Sequence, residues 1–135
     1  MFVFPIPKEK GFLSIFCQML AKNDKVIFTT LEEYQKKLGG APAYLQVSYY
    51  TELQESKGIV LMRGDVDTSV ITTQEAQLLA NLWQIYLLDD DKYKLLETFN
   101  HEPTKFDYNL VLKDIEATVH NLNKEEKQAN VSELD

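Results

Sequence analysis

The residues able to carry chemistry are few and scattered. Asp65 and Asp67 flank Val66 in a D-x-D arrangement, and alternate residues of a strand share a face, so two hard oxygen ligands could meet one cation there. No distal carboxylate at calcium-loop spacing completes such a site, and a solvated turn is the plainer expectation. Arg63-Gly64-Asp65 spells an adhesion tripeptide, but glycine and aspartate are what a turn needs anyway. His101 stands beside Glu102 in an expected loop and His120 on an expected helix; imidazole is a common acid-base group, yet neither histidine has a visible triad in the sequence. Cys17 falls among apolar residues, where a small buried side chain is the ordinary role and a reactive thiol would need an electropositive setting. No catalytic, metal-binding or cofactor-binding residue is therefore assigned.

Two groups of residues suit recognition better than reaction. Gln77, Asn81 and Gln84 recur at spacings of four and three, forming an uncharged stripe along one side of a helix that is otherwise apolar. Amides in place of the usual Lys and Glu are expected where a helix face is partly covered by a partner or a second copy of the chain, although a plain solvated stripe has the same spelling. Tyr44 and Tyr50 alternate with Gln46 and Ser48 away from Leu45 and Val47, as an interaction surface or as a face that a helix covers. Asp89-Asp90-Asp91 adds a compact acidic feature.

These groups require elements to position them. Phe12, Ile15, Phe16, Met19 and Leu20 match a helical period and predict a helix over 11–22, with a turn at Asn23-Asp24. Val26 to Thr29 reads as a buried strand, and Thr30 with Glu33 as a capping box opening a helix that Gly39-Gly40 and Pro42 end. Residues 43–53 alternate as a long strand. A hairpin loop over 55–58 leads to a partner strand at 59–62, then a turn or bulge at Gly64-Asp65 and a further strand over 66–71. Thr72 with Glu75 caps the central helix, which reaches Leu88; the three aspartates interrupt it or start a new one, so 92–99 is a short helix or the continuation of a kinked one. Pro103 marks a loop, and Tyr108, Val111, Leu112, Ile115, Val119 and Leu122 mark the last amphipathic helix. The expected fold class is α+β: a small, mainly antiparallel sheet of three to four strands packed against helices, in the order α-β-α-β-β-(β)-α-α-α. The expected organisation is a single domain over 1–124 followed by a polar, disordered tail over 125–135.

Charge narrows the partners. The chain has 135 residues and a formal net charge of -7, with 8 basic and 8 acidic residues up to position 67 but 6 and 13 beyond it. An acidic surface repels phosphate backbones, so direct nucleic-acid binding is not expected. One cysteine, no signal-peptide order at the N-terminus and no apolar run near the roughly 20 residues that span a bilayer suggest a cytoplasmic protein without a membrane partner. The leading expectation is a non-enzymatic protein-interaction module, an adaptor, chaperone or inhibitor, whose acidic helical half meets a basic partner, with self-association through the central helix as a further option. The alternatives are a small-molecule-binding protein or small enzyme with a pocket between sheet and helices, and a nucleic-acid-mimicking inhibitor.

Overall fold

A computed structural model describes residues 1–20, 24–37, 40 and 42–134, with side chains through residue 128. Asn23 and Gly39, expected in turns, and Lys22 and Leu38, at expected helix ends, lie outside the described residues. Five strands form one antiparallel meander in the order β1-β2-β3-β4-β5: β1 Phe2–Lys8, β2 Gly11–Leu20, β3 Lys25–Thr30, β4 Leu45–Tyr50 and β5 Leu61–Val66. Helix α1 (Leu31–Lys37) lies between β3 and β4, and the short α2 (Gln54–Lys57) between β4 and β5. Helices α3 (Thr73–Leu88), α4 (Asp90–His101) and α5 (Tyr108–Leu134) follow, with a 3-10 turn at Pro103–Lys105. The class is α+β as expected, with one more strand than the upper expectation.

The helix expected over 11–22 is strand β2. Its apolar residues fit a helical period because they occupy both faces of the strand, which is packed on both sides at its centre while Phe12 and Met19 stay largely exposed. Ile15 and Cys17 are buried on the face shared with Phe4 and Phe2 of β1, while Phe16 points the other way and stacks on Tyr34 of α1 with ring centroids 4.0 Å apart. A strand covered on both sides loses the alternation that distinguishes it from a helix. Strand β1, which the expected element order lacks, contains Pro5 and Pro7. Proline is tolerated on an edge strand, where a missing N–H costs no ladder bond, and β1 is an edge. Its hairpin to β2 turns through Glu9-Lys10, with Gly11 at φ +124°, a conformation that favours glycine.

The loop at 55–58 is helix α2, closed by Gly58 at φ +65°, so β5 begins at Leu61 rather than at residue 59 and runs straight through Gly64-Asp65, which form neither turn nor bulge. Residues beyond Val66 do not add a strand: Asp67 Oδ1 accepts from the Ser69 N–H at 3.0 Å and from its hydroxyl at 2.5 Å, and this Asx turn leads to α3. The polar segment expected to be a disordered tail continues α5, which extends to Leu134.

The core lies between the sheet and the C-terminal helices. Phe2, Phe4 and Ile6 of β1, Val26 and Phe28 of β3, and Leu45 and Val47 of β4 present one continuous apolar face, because directly paired residues of an antiparallel ladder share a face. Leu79, Leu82, Trp83 and Tyr86 of α3 close over it, joined by Leu96 of α4 and by Val111 and Ile115 of α5. Aromatic edges lock the contact: the Phe2 ring meets Tyr86, Phe99 and Phe106 with centroids 5.4, 5.6 and 6.0 Å away.

Candidate binding cleft at the open sheet edge

The two edges of the sheet differ. At β1, Pro5 and Pro7 offer no N–H, and α5 packs against the strand. Strand β5 contains no proline, and its residues are exposed from Leu61 to Asp65, with only Val66 half-buried. Ile59 and Val60, just before the strand, and Leu61 and Met62 within it are 43 to 52% exposed, and among the described residues no other strand pairs with the outer side of β5. Exposed apolar edge strands are ready templates for another chain, which isolated soluble proteins usually blunt.

Beside this edge the sheet and α3 diverge into a cleft of about 450 Å³. Leu45 and Val47 form its floor. Met62, Gly64 and Val66 bound it on β5, and Ala76, Gln77, Ala80 and Asn81 bound it on α3. Among the described residues no ionisable side chain lines it, in a protein where 26% of residues are charged. Gln77, Asn81 and Gln84 of the amide stripe are all exposed, Gln77 and Asn81 face this cleft, and the Gln84 amide donates to Met62 Sδ at 3.4 Å. Gln84 also lies against the Tyr49 hydroxyl, which burial pushes above the usual phenol range. Gln77 and Asn81 border a second hollow of about 410 Å³ between α3 and α5, so they form a ridge between two depressions.

The start of α3 is fixed firmly. The Thr72 hydroxyl accepts from the Glu75 N–H at 3.0 Å and Glu75 Oε1 accepts from the Thr72 N–H at 2.9 Å, the reciprocal box expected from sequence. Glu75 also pairs with Lys8 of β1. Burial opposes its ionisation, but Lys8 and the cap outweigh it and hold the carboxyl below its usual range.

The remaining candidates have separate places. Asp89 caps α4, its carboxylate accepting from the Asp91 and Lys92 N–H groups at 3.0 and 3.1 Å; Asp90 and Asp91 are exposed in that helix's first turn. Tyr44 is half-buried against the core, and Tyr50 is exposed at the far end of β4. Asp65 sits on β5 with Arg63 3.2 Å away, while Asp67 is engaged by Ser69. His101 ends α4, and His120 borders a shallow hollow between α5 and the β1-β2 hairpin. Among the described residues no three His, Cys, Asp or Glu side chains gather at metal-binding distance, and no helix is long and apolar enough to cross a membrane. Cys17 is fully buried in β2, and burial pushes its thiol far above the usual range. The bare edge of β5 escaped sequence reasoning; the signal was present in Ile59 to Met62, an apolar run in which no alternation marks a buried face.

The fold and cleft define an α+β protein with an open antiparallel sheet, one edge shielded and the other presented beside an uncharged groove. By sequence, this chain belongs to the ATP11 protein family, whose model matches residues 1–112. It is 34% identical over 117 residues to ATP synthase mitochondrial F1 complex assembly factor 1 of Danio rerio, covering 85% of this chain and 38% of that protein. The proteins of the same name from Mus musculus and Homo sapiens are also 34% identical over 117 residues, with 36% and 35% of their lengths covered. The chain thus spans little more than a third of these relatives.

Proposed function

We propose that this chain is a non-enzymatic binding unit of an F1 assembly factor, which holds an unassembled F1 subunit until its proper neighbour in the complex replaces it. The observation that carries the reading is the β5 edge: apolar, unpaired, and set beside an uncharged cleft. Such a surface is a liability unless another chain covers it. Membership of the ATP11 family and the likeness to F1 complex assembly factors support an F1 subunit as the client. A holding protein needs an apolar surface that offers generic rather than finely shaped contacts, and a strand edge with a neighbouring groove meets that need. Cys17, an unpaired thiol at the centre of the core, fits a reducing compartment.

Individual F1 subunits diluted from denaturant, followed by light scattering, test this reading. The chain in stoichiometric amount is expected to suppress their aggregation and to co-elute with at least one of them. Aggregation unchanged for every F1 subunit would contradict it.

A further inference from the structure

The hydrogen bonding of β5 fixes which backbone groups it offers. The Asp67 N–H donates to the Tyr44 carbonyl at 2.8 Å, and the Tyr49 N–H turns away from β5 to donate to the Asp24 carbonyl at 3.0 Å, so Gln46, Ser48 and Tyr50 are the β4 residues whose backbone groups face β5, in hydrogen-bonded pairs with Asp65, Arg63 and Leu61. Such pairs alternate along an antiparallel ladder. Leu61, Arg63 and Asp65 therefore turn their N–H and C=O groups toward β4, and Met62, Gly64 and Val66 turn theirs outward. Their side chains face the cleft, in line with Leu45 and Val47, while Arg63 and Asp65 lie on the opposite face.

Building on the function proposed above, we infer that β5 receives an added antiparallel strand from the client, reading basic, large apolar, acidic in chain order. Two features set this sequence. Gly64 has no side chain, and a Cβ placed there would meet Leu45 Cδ1 at 3.5 Å, so the residue opposite Gly64 can lean across the bare backbone onto the cleft floor. A large apolar side chain fits that uncharged place. The flanking client residues fall opposite Asp65 and then Arg63, in the closer non-hydrogen-bonded pairs, where opposite charges attract and like charges repel. The existing Arg63–Asp65 pair is exposed and contributes little by itself, so both groups are free to take cross-strand partners. A second copy of this chain would also present the order Arg63, Gly64, Asp65, but with glycine at the centre it leaves the floor uncovered.

Three heptapeptides titrated into the full chain, with backbone amide shifts recorded by NMR, test the inference: Thr-Val-Lys-Leu-Glu-Val-Thr, the same peptide with Lys and Glu exchanged, and the first peptide N-methylated at leucine. The first is expected to shift the Met62, Gly64 and Val66 amides and to bind roughly fivefold tighter than the charge-exchanged form; N-methylation, which removes the donor facing Gly64, is expected to abolish binding. The double variant Arg63→Asp with Asp65→Arg, at exposed positions that leave the fold intact, is expected to reverse the charge preference. Equal binding of the methylated peptide, an unreversed preference, or shifts confined elsewhere would overturn strand addition. So would a chain of doubled mass that the peptides fail to dissociate, which would give the edge to a second copy. Suppressed aggregation of F1 subunits together with indifference to N-methylation would remove strand addition and leave the functional reading standing; peptide binding with no effect on any F1 subunit would do the reverse.

Discussion

The Tyr86 hydroxyl of α3 donates to Asp114 Oδ2 of α5 at 2.5 Å, and Asp114 Oδ1 receives Lys92 Nζ of α4 at 2.9 Å. One carboxylate thus ties together the three helices that cover the sheet, and it does so at the rim of the core rather than at the open edge. Tyr86→Phe keeps the ring packing against Phe2 and Phe4 but removes the donor, and is expected to cost about 1–3 kcal/mol, as for a hydrogen bond to a charged group. Asp114→Ala should cost more, because it leaves both the tyrosine hydroxyl and the ammonium without their shared partner. Urea unfolding checks both, and client binding should be unchanged in folded Tyr86→Phe.

The same buried groups set an alkaline limit. Burial first, then the Asp114 carboxylate, hold the Tyr86 hydroxyl above the ordinary phenol range, and burial holds the Cys17 thiol above the ordinary thiol range. Both acids are neutral in the folded chain and ionise more readily when unfolded, so the unfolded state binds fewer protons at high pH. Their contribution is complete below about pH 9 and is lost as pH rises beyond it. The urea midpoint is expected to be flat from neutral pH to about 9 and to fall above it, and Tyr86→Phe should make that fall shallower. For the same reason Cys17 should react with thiol reagents only at the rate at which the chain opens.

The cap on α3 positions the wall of the cleft. Thr72→Ala removes the acceptor for the Glu75 N–H and is expected to cost about 1 kcal/mol. Asp89→Ala should cost a similar amount through α4, since its carboxylate accepts two N–H groups there. Asp90→Asn and Asp91→Asn, which change charge without removing a cap, should leave stability within about 0.5 kcal/mol of the parent. Thermal or urea melts of the four variants distinguish capping from bulk acidity.

How legible these features were depended on how local their causes are. The Thr72–Glu75 box and the break at Asp89-Asp90-Asp91 could be read, because a Thr with a Glu three residues on, or a run of carboxylates, acts within a single turn; which aspartate caps α4 could not. The amide stripe of α3 was legible for the same reason: Gln77, Asn81 and Gln84 need only the helical period. Strand β2 was not, because its second buried face comes from Tyr34 of α1, and no local pattern announces a strand packed on both sides. Strand β1 was not either: it contains Pro5 and Pro7, whose tolerance depends on lying at an edge. What the stripe borders was likewise out of reach, since the cleft exists only where β5 takes its place after β4, ten residues away from it through α2.

The account rests on the exposed edge of β5, and Met62 is where it can be blocked with least harm to the fold. Its side chain is 46% exposed and borders the cleft, so Met62→Lys should change stability by no more than about 0.5 kcal/mol while placing a charge in an uncharged groove. The direct measurement is the affinity of the chain and of Met62→Lys for the same unassembled F1 subunit, by calorimetry or co-elution, with equal urea midpoints verifying both folds. The account predicts a complex with the parent chain and at least a tenfold loss, about 1.4 kcal/mol, with Met62→Lys. Equal affinity of the two would contradict it.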